Sequence, residues 1–414
     1  TSGLGDSDGY GAAIPTGRIN ARSAAEVAAY LDKLKETEAR SLADDYQEGS
    51  TREALWRKHL VHLSGGVSLA ELTLFARYVD DLEARAESDF LGGSVSTQSK
   101  QSNNATELIN IAEEVNQGLS MITFFGHSST TRSDIEIGYV TNEQLGYNNK
   151  GKYPAILING CNAGNIFSNA LTFGEDWIGA ADKGAINVMA HASAGISSIL
   201  KRYSDAFYGT AFNDSLYIGR SIGDIKQEAG KRFVTNIGSS LWEVHIAQVT
   251  QSVLQGDPAM TLFGRAEPDY AIEADELQVV PLEDGEVTVF SDSFAIQMVV
   301  RNFGRSSRDS LEVTLNRTLE NGNTISYGPV FYPPVLYQDT LLFRVNSGDD
   351  IIASGAEVGT NRFEITINSR SGEAELNPNN NVATLEYFIP IGGTVHLQPA
   401  NYAIVSNPEM DVFV

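Results

Sequence analysis

A change of hydrophobic rhythm near Gly264 constrains this chain more than any other feature. Before it, short apolar runs that end in glycine or polar turns alternate with long amphipathic segments. After it, helical spacing vanishes and segments with a period of two take over. The first pattern is that of a largely parallel sheet covered by helices, because strands buried on both faces are apolar throughout. The second is that of a β-sandwich, whose strands show one face to a core and the other to water. Single cores stop growing beyond roughly 250–300 residues, so a chain of 414 residues is expected to divide at such a boundary.

In the first region, strands are expected at 59–63, 121–125, 155–158 and 185–190, and helices at 24–40, 68–85, 108–117 and around 177–181. Ser23 and Glu26 give the first helix a capping box, and Val27, Tyr30, Leu31 and Leu34 form its apolar stripe. A polar stretch at 43–51 follows it. In the second region, alternation at 287–290, 294–300, 311–315, 363–367 and 383–387 is broken by turn clusters such as Asn321-Gly322-Asn323 and Asn377-Pro378-Asn379-Asn380. This predicts an immunoglobulin-like sandwich, without the Cys-Trp-Cys core of antibody domains. The expected organisation is a tail of an upstream subdomain at 1–50, an open α/β domain at 51–268, the sandwich at 269–392, and a linker or further domain beginning at 393–414. The chain reads as a piece of a longer protein whose signal peptide lies outside it.

A formal charge of −24, from 53 acidic and 29 basic residues, repels phosphate backbones and excludes nucleic acid as the main ligand. A solvated acidic surface is the first reading of that charge. Structural calcium on carboxylates such as Asp6 and Asp8 is the lesser one, since EF-hand spacing is lacking. No apolar run approaches the roughly 18–20 residues of a membrane span. Cys161 is the only cysteine, so no intrachain disulfide can form. A lone thiol is either a small buried hydrophobe or a nucleophile.

In open α/β sheets, reactive groups gather at the carboxyl ends of strands. Here Phe124-Phe125-Gly126-His127-Ser128-Ser129 sets an imidazole past one strand, and Ile158-Asn159-Gly160-Cys161-Asn162-Ala163-Gly164 sets a thiol past the next. Neighbouring strands lie about 4.8 Å apart, so the two side chains could meet across the sheet edge. Each alone has a plainer reading, an inert buried thiol and a turn histidine. Together they describe a nucleophile and its base. The attacking species is the thiolate, which needs the imidazole and backbone donors at the start of a following helix. The N–H groups of Cys161 and of Ser128 or Ser129 are the expected oxyanion hole. His191, with Ser193 and its neighbours to 198, is expected to line a substrate pocket, with a structural histidine as the alternative. Asp134, Glu136 and Glu243 are candidates to orient His127, against a solvated surface role for each.

The blocks Phe124-Phe125-Gly126-His127-Ser128, Pro154 to Gly164 around Cys161, Gly184-Ala185-Ile186-Asn187-Val188-Met189-Ala190 and Leu254-Gln255-Gly256-Asp257-Pro258 resemble, in order and spacing, those of the gingipain family of cysteine peptidases. The resemblance covers roughly residues 10–264. It implies a caspase-like catalytic domain with His127 and Cys161 as the dyad, a polypeptide substrate, no cofactor, and a secreted or bacterial cell-surface location. A peptidase core followed by a sandwich resembles most the branch that includes the sortase of the type IX secretion system. That branch implies secretion-system components as further partners, and attachment peripheral to the outer membrane at most. Hydrolysis and transpeptidation share every residue up to the acyl-enzyme, so both stay open. A weakly active or inactive docking component is the alternative, because His127-Ser128 stands where the family commonly has His-Gly.

Overall fold

The computed structural model describes residues 14–42, 55–88, 90–235, 242–263, 265–348 and 357–392. The expected spacer at 43–51, the carboxylates Asp6 and Asp8, and the segment 393–414 lie outside the described residues.

The chain enters through helix α1 (Ala24–Leu42). Its start is capped as expected: Ser23 Oγ accepts the Glu26 N–H at 3.2 Å and the Glu26 carboxylate accepts the Arg22 N–H at 2.8 Å. Lys33 pins this helix to the body of the domain. Its buried ammonium donates to the carbonyls of Trp177, Lys183 and Ala185 at 3.1–3.2 Å.

The α/β region then runs β1 (His59–Ser64), α2 (Leu69–Ala86), β2 (Ser94–Ser99), β3 (Glu107–Leu108), α3 (Ala112–Gln117), β4 (Met121–Phe125), β5 (Ile135–Glu136), β6 (Ala155–Asn159), α4 (Phe173–Gly179), β7 (Asn187–His191), α5 (Ser197–Phe212), α6 (Ile222–Thr235), α7 (Trp242–Gln251) and β8 (Ser252–Gly256). Six strands form one sheet in the order β2-β1-β4-β6-β7-β8, parallel except for β8. The helix expected at 108–117 is shorter than its apolar spacing suggests. Leu108 belongs to a two-residue parallel ladder with β5, and Asn110 Oδ1 starts the helix by accepting the Ala112 N–H at 2.9 Å. The polar edge strand β2, Ser-Val-Ser-Thr-Gln-Ser, carries no apolar run that would announce it.

The two faces of this sheet differ. One is apolar, and mostly aliphatic, from end to end: Val61, Leu63, Ile122, Phe124, Ile156 and Ile158 share a core with Tyr30 of α1 and Trp177 of α4. On the other, Leu60, Met121, Leu157 and Met189 pack against Leu82, Tyr203 and Phe207 of α2 and α5, but towards the carboxyl ends it turns polar. His62 Nε2 and Thr123 Oγ1 meet the Tyr208 hydroxyl at 2.8 and 2.6 Å, and Asn159 Oδ1 accepts from Ser204 at 2.6 Å. Ser64 Oγ and Asn159 Nδ2 are buried with no hydrogen-bond partner among the described residues.

The second region comprises β9 (Tyr270–Ile272), β10 (Gln278–Pro281), β11 (Ser293–Asn302), β12 (Leu311–Thr318), β13 (Thr324–Tyr332), β14 (Gln338–Asn346), β15 (Gly359–Ser369) and β16 (Val382–Ile389). They make two four-stranded antiparallel sheets, β10-β11-β14 with β9 on β11, and β13-β12-β15-β16. Phe294, Ile296 and Met298 of the first share one core with Val313, Leu315, Phe363 and Ile365 of the second. The strand expected at 287–290 does not form. Val287 and Val289 are buried, which explains the alternation, but the backbone turns there, with the Thr288 N–H on Ser291 Oγ at 3.0 Å. Within the core, Arg317 lies beside the rings of Phe294 and Phe363 and pairs with Glu357 at 3.2 Å, both side chains fully buried.

A lysine and a backbone bridge between Phe90 and Ser306 tie the two regions together. Lys58 closes the 3-10 turn Leu55–Lys58 just before β1. Its buried ammonium donates to the carbonyls of Asn302 and Gly304 at 3.0 Å and Leu336 at 2.6 Å. Leu55 packs beside it on Ala271 and Phe303.

Candidate active site

The parallel register of β4 and β6 aligns Phe125 with Asn159. The two loops that follow therefore leave the sheet side by side, and Gly126 N–H still donates to the Asn159 carbonyl at 3.1 Å. One step further, Ser128 Oγ donates to the Cys161 carbonyl at 2.8 Å, so the histidine loop and the cysteine loop touch. Gly160 permits that approach: a Cβ there would lie 2.1 Å from Ser128 Oγ. Asn162, immediately after the thiol, has φ of 58°, a left-handed conformation uncommon outside glycine. Such strain is concentrated at functional turns. The thiol does not sit at a helix N-terminus as the sequence suggested. Residues 160–171 form a run of turns and bends, and α4 begins only at Phe173.

Cys161 is partly exposed. Its Sγ accepts the Gly195 N–H at 3.3 Å and lies 3.7 Å from the Gly195 carbonyl. His127 is half exposed and stacks near Phe75, with 5.8 Å between ring centroids. No hydrogen bond links His127 to Cys161 among the described residues; the imidazole Nε2 instead meets Glu71 Oε1 at 3.1 Å. Active-site hydrogen bonds of this kind commonly tighten only around substrate. The backbone N–H groups of Cys161 and Ser128 have no partner among the described residues, as an oxyanion hole requires.

Glu71 is the carboxylate that sequence reasoning missed. It lies in the first turn of α2, where its Oε2 accepts from the Val67 N–H and the Ser68 hydroxyl, both at 3.1 Å, while Ser68 Oγ receives the Glu71 N–H. It thus ties down the start of the helix and orients the imidazole with its other oxygen. Burial is the largest single influence on this carboxyl and pushes its pKa up. Hydrogen bonds from Val67, His127 and Ser68 and the charge of His127 together outweigh it, leaving the pKa below the usual carboxylate value. The sequence signal that could have found it is Ser68-Leu69-Ala70-Glu71, a cap written just past a strand end.

The three carboxylates singled out from sequence lie elsewhere. Asp134 is buried, its Oδ2 accepting the Gly66 N–H at 2.7 Å. It holds the histidine loop through its backbone, donating to the His127 carbonyl at 2.9 Å. Gly126 leaves room for it, since a Cβ there would lie 2.5 Å from Asp134 Oδ1. Glu136 accepts the Ser133 N–H at 3.3 Å and lines the pocket under this loop. Glu243 stands on α7, in a depression it shares with Ala194 and Ile196.

His191 is 1% exposed and its Nε2 meets the Gln248 amide, with its ring against Tyr203 on the side of the sheet covered by α5. It therefore lines no open pocket. Burial first, then the charge of Lys226, hold its pKa down at about 4, so it is a neutral structural residue at ordinary pH. Ser193 is exposed and contributes its carbonyl, which accepts the Asn162 N–H at 3.0 Å and steadies the turn after the nucleophile. Among the described residues no group of His, Cys, Asp or Glu is arranged to hold a metal ion, and no helix is long and apolar enough to cross a membrane.

Among solved structures, the chain is similar to gingipain R, an Arg-specific cysteine proteinase, with 13% identity and a TM-score of 0.47, covering 90% of this chain and 74% of that one. The complex of the pro- and mature domains of RgpB from Porphyromonas gingivalis gives 13% and 0.47, covering 91% and 77%. A further protease structure gives 12% and 0.49, covering 93% and 76%. No curated protein matches the sequence. The profile of peptidase family C25 matches residues 3–263, well over half of the chain, and the chain belongs to that family.

Proposed function

We propose that this cysteine peptidase cleaves polypeptides through an acyl-enzyme on Cys161, with His127 as its base and Glu71 as the group that orients the base. The observation that carries the reading is the contact of the two strand-end loops, with His127 held by Glu71 at 3.1 Å on one and Cys161 on the other. With Nε2 directed at Glu71, Nδ1 is the nitrogen left to take the thiol proton. The thiolate attacks the peptide carbonyl, and the oxyanion is met by the N–H groups of Cys161 and Ser128. Collapse expels the amine, which leaves with the proton from His127, and the acyl group stays on sulfur.

Water then regenerates the thiol in an endopeptidase, and an amine does so in a sortase-like transpeptidase. The same residues serve both, and neither route needs a cofactor. Secreted proteins are the proposed substrates, and the cell surface the proposed location, on the strength of family membership. A docking component is the second reading, favoured by the missing hydrogen bond between His127 and Cys161.

Alkylation of Cys161 by iodoacetamide across pH separates the two. An activated thiol reacts well below pH ~8.5, the reference thiol value, and slows in His127→Ala. Slow labelling that is identical in both proteins would sink the peptidase reading.

A further inference from the structure

Beside the nucleophile, on the aliphatic face of the sheet, a pocket of about 640 Å³, counting its open mouth, reaches down under the loop 128–139. Its floor is made by Ile122, Ile156 and Ile158, and one wall by Phe173. It begins at Ser128, which bonds the Cys161 carbonyl, and at Ala163, two residues past the thiol. It is therefore continuous with the proposed catalytic edge. Two charged side chains line it, Arg132 and Glu136, of opposite sign.

We propose that this pocket takes an uncharged apolar side chain of the polypeptide substrate adjacent to the scissile bond; the assignment rests on the peptidase reading above. Three observations support it. The floor offers no hydrogen-bonding side chain, and of the hydroxyls lining the rest of the pocket those of Ser128, Ser129, Ser133 and Tyr139 already donate to backbone carbonyls, so a polar group buried on the floor would go uncompensated. The charges nearly cancel: a lysine or arginine that gained Glu136 would meet Arg132, and an acid the reverse. The same edge of the sheet is also rimmed by exposed apolar side chains from three separate loops, Val67 and Leu69 after β1, Phe167 and Leu171 after β6, and Ile196 after β7. Clustered exposure of this kind marks a surface that receives an apolar partner. An extended chain with hydrophobic residues around the cleavage point would cover this rim and fill the pocket.

The test uses blocked peptides that differ at one position at a time, carrying Gly, Asp, Lys, Leu or Phe. Their binding to Cys161→Ala is measured by calorimetry, and their cleavage by the wild-type chain is measured in parallel. The expectation is a preference for Leu or Phe over Gly of at least about 10-fold at one position, the scale of a filled hydrophobic pocket. That preference should fall towards unity in Ala163→Leu, which fills the pocket, and in Thr131→Trp, which narrows its exposed mouth without touching the core. Equal binding of all peptides, a preference unmoved by both variants, or a Lys preference abolished by Glu136→Gln each overturns the proposal. Selective binding without any cleavage would leave the pocket standing and remove the peptidase reading. Cleavage without selection would do the opposite.

Discussion

In the sandwich, Arg317 is buried against Glu357 and Asn361 and beside two phenyl rings, whereas at the carboxyl edge of the α/β sheet the buried polar groups are neutral, and Ser64 Oγ and Asn159 Nδ2 have no hydrogen-bond partner among the described residues. Both regions leave some buried polar atoms unmet among the described residues, Arg317 Nη2 included, but the sandwich centres its buried polarity on an ion pair with both side chains fully buried. The sandwich uses its polar groups to fix its own core. The α/β sheet uses neutral ones, matched only in part, next to the loops that carry His127 and Cys161. Local rules tend to be broken where function demands it. Activity should therefore be sensitive at one edge of the molecule and stability in the other region.

Cys161→Ala is the largest expected effect. Peptide cleavage should fall by at least about 10⁴-fold, roughly 5 kcal/mol of transition-state stabilisation, while the melting temperature stays within a degree or two. Full cleavage by this variant would falsify the mechanism. Arg317→Met should give the opposite pattern. It leaves Glu357 buried without its partner, a loss of about 3–5 kcal/mol in denaturant titration, with kcat/KM of the remaining folded protein unchanged. Replacing Glu357 by Gln as well should return much of that stability.

Glu71→Gln keeps the shape of the cap but loses the charge facing His127. Cleavage should drop about 100-fold, near 2.7 kcal/mol, and the acidic limb of the pH–rate profile should move. A loss of stability alone, with an unshifted profile, would make Glu71 a cap and nothing more. Acid should separate the two regions next. Burial first holds His62 and His191 at about 4 each, below the usual histidine value. Between there and about 6.5 the unfolded chain binds protons that the folded one does not, so stability rises with pH through this window. It is fully present above it and lost as pH falls towards 4, on the order of 2 kcal/mol for each histidine. The described sandwich contains no histidine. Asp269, pushed up to about 6 by burial at the junction, has the opposite sign: its contribution is lost as pH rises through that value. Tryptophan fluorescence, weighted to Trp56 and Trp177 in the α/β region, should change before the sandwich amides lose exchange protection. Simultaneous loss would contradict the separation. The last effect expected is for Lys58→Met, about 1–3 kcal/mol for each carbonyl left buried without its donor, read as a split of one thermal transition into two.

Much of this was legible in the sequence because apolar runs and glycine stops report directly on a sheet buried on both faces. Met121–Phe125 was expected at the very residues where it forms, and the loops bearing His127 and Cys161 follow from it. Elements whose side chains face water were harder to read. β2 is polar throughout, and β13 is mostly exposed along its length, so neither shows alternation. Val287 and Val289 misled for the converse reason: they alternate because they are buried, in a turn rather than a ladder. The partner of His127 was out of reach for a third reason. Glu71 stands 56 residues away in the chain, and its local pattern announces a helix cap without saying what the carboxylate's second oxygen will face. His191 looked like a pocket residue from its place after a strand, but position along a strand does not say which face the last side chain takes.

Lys58 has a mechanical consequence. It grips the sandwich at three carbonyls and is followed at once by β1, which ends at Ser64, just before the turn that carries the Glu71 cap. A hydrogen-bonded strand hardly stretches, and six residues of it form a rod about 20 Å long. The grip on the sandwich and the cap that steadies the imidazole thus stand at opposite ends of one strand, and any shift of the second region against the first pulls on the strand that leads to the catalytic edge.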